Sequence, residues 1–209
     1  MSSQNHRSFE IVAVSVTALG KFLFYDVLNL RLVFILLMFG FWSTYITMRV
    51  RNHSELFKKW GFRVDNFNRV LRRVLPFGIV SFMACLSIGY YQDTINITWH
   101  IIPILILYPV FGVLQQFLIM ALVAGNLQEL NRIKAQSIII ITSILFGILH
   151  YPDWWLVLGT FILALFYTYT YLKNRNLYVL GFFHGWLGAL FYYTVVDKDP
   201  FTEIFGFIF

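Results

Sequence analysis

From residue 74 to 91, and again from 99 to 124, the chain carries no Asp, Glu, Lys or Arg. A helix needs about 20 predominantly apolar residues to cross a hydrocarbon core about 30 Å thick, so each run is long enough to span a membrane. The whole chain agrees with that reading. Only 12% of its 209 residues are charged, against about 25% in ordinary soluble domains, too few to cover a soluble globule of this size. The expected fold class is all-α, a polytopic transmembrane bundle of about seven helices in one integral-membrane domain, residues 1–209.

The expected segments are 9–28, 32–48, 74–91, 99–124, 138–150, 154–171 and 177–195. The first is interrupted by Glu10, Lys21 and Asp26, so it either spans or lies in the interface. The fifth stops at Tyr151-Pro152-Asp153, because proline disfavours a helical residue before it. No internal repeat or low-complexity linker breaks the chain, which weighs against a transporter built from repeated halves.

The formal net charge of +6 invites a nucleic-acid reading, but the basic residues sit in short connections between apolar runs. Topology and anionic headgroups account for them: membrane lipids are partners and nucleic acid is not. With seven spans, one side receives thirteen of the sixteen Lys and Arg, eight of them in the polar stretch 49–73. The positive-inside rule then places that stretch in the cytoplasm. Cys85 is the only cysteine, which excludes an internal disulfide.

Polar side chains inside hydrocarbon cost a few kcal/mol (~2–3 on insertion scales), so each is a functional candidate. In the second half of the chain these are Gln115 and Gln116 in the fourth segment, His150 ending the fifth and His184 in the seventh. Such groups also serve as interhelical contacts worth about 1 kcal/mol; both readings stand. His100, beside Trp99 at a span end, reads as interfacial. Two histidines fall short of the usual three-protein-ligand catalytic zinc site, so no cofactor is expected, and a divalent metal is left open.

Three features in order resemble the CPBP family of intramembrane endopeptidases, which includes the CAAX prenyl endoproteases and bacteriocin-processing enzymes. The family shows Glu-Glu-x-x-x-Arg, then Phe-x-x-x-His, then His-x-x-x-Asn or a small residue, each on its own membrane helix. This chain has Gln115-Gln116-Phe117-Leu118-Ile119-Met120, Phe146-Gly147-Ile148-Leu149-His150 and His184-Gly185-Trp186-Leu187-Gly188. The run from Trp60 to Phe67 looks like a short cytoplasmic segment of such proteins. The family-like core is expected at about 99–195. The resemblance implies an intramembrane protease, a hydrolase of membrane-associated or prenylated peptides in a multi-pass bacterial plasma-membrane protein, with His150, His184, Gln115 and Gln116 at the catalytic positions.

The departures bear on mechanism. In the family a glutamate pair activates the attacking water, and the histidines position it and stabilise the oxyanion. Here both carboxylates are amides, Met120 replaces the arginine and Gly188 stands at the asparagine position. A general base is worth about 10²- to 10⁴-fold in rate. Three outcomes follow: a peptidase using His150 or His184 as base with Gln116 holding the water, a binding or scaffold protein that does not cut, or a bundle that only keeps the fold. Asp153 and Glu129 are carboxylates that could substitute. For His150 to reach the depth of His184, the fifth segment must be short or tilted.

Overall fold

The computed structural model describes residues 3–206; residues 1–2 and 207–209 of the expected single domain lie outside the described residues. All regular structure among the described residues is helical. Helix α1 (Ser3–Lys21) runs into a π-wound turn, Phe22–Val27, and is followed by α2 (Arg31–Asn52), α3 (Glu55–Trp60), α4 (Phe67–Gln92) and α5 (Ile101–Gln116). After α5 the chain is π-wound from Phe117 to Gly125, then forms α6 (Asn126–Leu130), α7 (Ala135–Ile148), α8 (Trp154–Asn174), α9 (Leu177–Phe191) with a π-wound end, Tyr192–Val196, and α10 (Pro200–Phe205).

Among the described residues, five stretches are long and apolar enough to cross a membrane: α2, α4, the continuous helix Ile101–Leu130, α8, and Leu177–Val196. Large apolar side chains are exposed along them, among them Ile79, Val80 and Met83 on α4, Ile106 on α5 and Leu158 on α8. Lipid is the solvent that makes such surfaces stable, and the chain is an integral membrane protein. The segment expected at 9–28 is helical as α1 but is not one of the five. Helix α7 has 14 residues, about 21 Å at 1.5 Å per residue, so the fifth segment is indeed short.

The stretch 49–73, read from sequence as one polar connection, is mostly helical. Arg49 and Arg51 complete the last turn of α2, where a cation meets the negative end of the helix dipole. Arg69, Arg72 and Arg73 belong to α4. Between them α3 ends at Gly61, whose φ of 106° is the left-handed cap that glycine adopts without strain.

The chain divides into two compact units. The first comprises the residues up to Arg63 together with Phe117–Arg175. Its core is aromatic: Trp42 and Trp60 each meet the Phe117 ring edge-on, with centroids 6.4 and 5.3 Å away. Trp42 Nε1 donates to Thr17 Oγ1 at 3.3 Å, and buried Tyr171 donates to the Trp60 carbonyl at 2.7 Å, so the polar ends of these rings are satisfied while their faces pack. Lys21 joins α1 to the turn before α8, donating to the Tyr151 carbonyl at 3.0 Å and to Asp26 at 2.7 Å.

The second unit comprises Val64–Gln116 and the residues from Asn176 onward. Its centre is the pairing of α5 with α9, held without side chains between the backbones. A Cβ at Gly112 would lie 2.2 Å from the Gly181 carbonyl oxygen, one at Gly181 would lie 2.4 Å from Val113 Cα, and one at Gly185 would lie 2.5 Å from the Tyr108 and Pro109 backbone. Small residues four apart are the usual means of close approach in membranes, where lipid tails remove the hydrophobic drive between helices. Asn176 caps α9 by accepting from Val179 N at 3.0 Å and donates to Asn66 at 2.6 Å.

Asp199 ties down the end of the second unit. It caps α10, accepting from Phe201 N at 2.9 Å, and also takes Tyr193 Oη at 2.8 Å and His100 Nδ1 at 2.5 Å. His100, read as interfacial, is thus a tether for α10, with its ring stacked 4.6 Å from Phe201.

Candidate functional site

Of the four residues singled out by sequence, the structure joins two. His184 Nε2 donates to Gln115 Oε1 at 2.7 Å. The glycine contacts explain why: Gly112 lies one turn before Gln115, and Gly181 and Gly185 flank His184, so the backbones of α5 and α9 approach closely where the two polar side chains must meet. His184 is buried and Gln115 exposed. Gln115 stands near the middle of the helix Ile101–Leu130, a depth at which an exposed amide requires a polar partner.

Gln116 has a different environment. It is fully buried, and neither of its amide atoms has a hydrogen-bond partner among the described residues. Most buried side-chain polar atoms are paired, and an exception calls for an explanation. The chain changes from α to π winding at the next residue, Phe117. π-Winding is rare and recurs at functional sites; nothing in the apolar pattern of 117–125 betrays it.

His150 belongs to the first unit, in the turn after α7. Its Nδ1 donates to the Phe146 carbonyl at 2.8 Å, and the two rings meet edge to face. In the neutral ring that bond makes Nε2 the basic nitrogen. The Phe-x-x-x-His spacing therefore has a local purpose, since the phenylalanine carbonyl one turn back fixes the tautomer.

The carboxylates named as substitutes have other partners. Asp153 caps α8, accepting from Trp155 N at 3.1 Å and Leu156 N at 3.2 Å. Glu129 is surrounded by Arg7, Arg175 and Lys59 at 2.7, 2.9 and 3.0 Å. Met120 is fully buried, with its sulfur accepting from Thr168 at 3.5 Å. At Gly188 an added Cβ meets nothing within 4 Å. Among the described residues no three His, Cys, Asp or Glu side chains gather as metal ligands.

Residues 96–190 match the family model for Rce1-like type II CAAX prenyl endopeptidases. Over these residues the chain is similar to the Rce1-like family. The matched Rce1-like region holds Gln115, Gln116, His150 and His184. No curated protein and no solved structure matches the chain.

Proposed function

We propose that the protein is an Rce1-like intramembrane peptidase that hydrolyses a membrane-associated or lipidated peptide, prenylated peptides included, with His184 as the base at a weakened catalytic site. The observation that carries this is the 2.7 Å bond from His184 Nε2 to Gln115. It commits Nε2 as donor, so Nδ1 is the basic nitrogen of the neutral ring. In the reaction a water oxygen bonds to the scissile carbonyl carbon as its proton moves to Nδ1. That proton then passes to the peptide nitrogen as the C–N bond breaks, leaving an acid and an amine.

Gln116 supports the same reading. Its buried amide offers one donor group and one acceptor, the pair a peptide backbone requires. Replacing the carboxylate pair by amides removes a base worth about 10²- to 10⁴-fold, so turnover is slow. In this reading the chain is a single membrane domain with its family-like core at 99–195. It sits in a bacterial plasma membrane with the basic stretch 49–73 cytoplasmic.

The amide pair also favours a second reading, an inactive member of the fold that holds a peptide without cutting it. Proteolysis of membrane-anchored peptides by purified protein in lipid separates the two, comparing wild type with His184→Ala, His150→Ala and Gln116→Glu. Cleavage by the wild type that is lost in His184→Ala, with helicity unchanged, supports the peptidase, and His150→Ala reports whether the second histidine takes part. No cleavage by wild type, with activity only in Gln116→Glu, supports the binding protein.

A further inference from the structure

A cavity of about 340 Å³ lies within the first unit, and neither His184 nor the glutamine pair lines it. That is at the lower end of the range for small-molecule sites, about 300–1,000 Å³. Four cations line it, each from a different part of the chain: Arg7 of α1, Arg49 of α2, Lys59 of α3 and Arg175 at the end of α8. Arg49 and Glu129 lie in the last turns of membrane-crossing helices, and Arg175 caps another. The cavity is therefore where spans end, at the level of lipid headgroups.

Its charges do not balance. Glu129 alone faces Arg7, Lys59 and Arg175. Glu10, buried, accepts from Tyr45 and from Asn126 at 2.6 Å and has Arg49 at 3.7 Å. Glu10 and Arg49 offset each other, Glu129 offsets one of the three cations around it, and Glu55 at the lining brings the net to a single positive charge. Glu55, at the cavity edge, is exposed and pairs with His53 at 3.8 Å. Arg49 Nε is buried with no hydrogen-bond partner among the described residues. A cluster serving only to hold helices together would need neither the surplus nor the unused donor.

We propose that this cavity binds the phosphate of an anionic phospholipid headgroup, a terminal phosphate best of all. A phosphate monoester carries about −1.5 to −2 charges near neutral pH and presents several acceptor oxygens. That complements the net positive lining, and guanidinium groups bind phosphate in fork geometry.

The test is a lipid titration of the intact protein by native mass spectrometry, with phosphatidic acid, phosphatidylglycerol and phosphatidylcholine. Phosphatidic acid is expected to bind tightest and phosphatidylcholine weakest. Arg7→Gln and Lys59→Gln each weaken phosphatidic acid about tenfold, the loss of one charged hydrogen bond. Arg72→Gln, exposed on α4 outside the cavity, leaves binding unchanged. Glu129→Gln removes the competing carboxylate and strengthens binding severalfold, whereas a purely structural cluster would lose stability with no gain in lipid. Equal affinity for all three lipids, or the same loss with Arg72→Gln, overturns the proposal. Inorganic phosphate that binds as tightly as phosphatidic acid and shows the same variant pattern would assign the site to the soluble ion and overturn the lipid.

Discussion

His184 on α9 and Gln115 on α5 share a 2.7 Å hydrogen bond between residues sixty-nine positions apart. The ring donates and the amide oxygen accepts, so Gln115 sets which imidazole nitrogen is basic. Gln115→Leu removes the acceptor at little change in volume. In the peptide-cleavage assay kcat is expected to fall about tenfold or more with KM little changed, as for a residue that orients a general base. A rise in KM alone would assign Gln115 to substrate binding.

The α5–α9 contact makes a stability prediction independent of catalysis. Gly112→Ala places a Cβ 2.2 Å from the Gly181 carbonyl oxygen, where main chain must move. The expected loss is about 1–3 kcal/mol, the usual cost of overpacking. Gly188→Ala, at a position with open space, is expected to leave stability unchanged. Thermal unfolding in detergent or lipid compares the two variants directly.

Met120→Arg places a cation at a fully buried position beside Thr168. An unpaired arginine at the centre of a membrane helix costs about 2.5–3.5 kcal/mol on insertion scales. The variant is expected to accumulate poorly and to unfold at lower temperature. Membrane yield and unfolding temperature measure both effects.

Asp199 supplies a pH dependence outside the spans. Burial alone would raise its carboxyl, but hydrogen bonds from His100, Tyr193 and backbone N–H groups outweigh that and hold it below the ordinary carboxylate range. A depressed carboxylate stabilises the fold above its unfolded pKa, about 3.9, and the contribution is lost as pH falls through the lower folded value. Hydrogen exchange in α10 is therefore expected to rise below about pH 4 in the wild type. Asp199→Asn is expected to raise it already at neutral pH and to remove the acid step.

What the sequence made legible follows from the cost of charge in lipid. The runs at 74–91 and 99–124 could hardly be anything but spans, and α4 and the helix Ile101–Leu130 contain them. The same argument singled out Gln115 and His184, because polar groups that deep need partners. The π-wound Phe117–Gly125 left no trace, since a stretch apolar on every side has no periodic face to reveal how it winds. The cavity was equally hidden. Arg7, Arg49, Lys59, Glu129 and Arg175 each read as ordinary interfacial charges along the chain, and only the fold makes them neighbours. The basic stretch 49–73 misled for a related reason: cations at helix ends resemble loop residues when composition alone is read.

The separation of α5 from α9 is fixed by main chain against main chain at Gly112, Gly181 and Gly185. A spacer without side chains has no rotamers and does not depend on the chemistry beside it. Carboxylates can thus give way to amides at 115 and 116 while the gauge between the two helices persists. The shape of such a site is set by the glycines, whatever polar groups stand beside them.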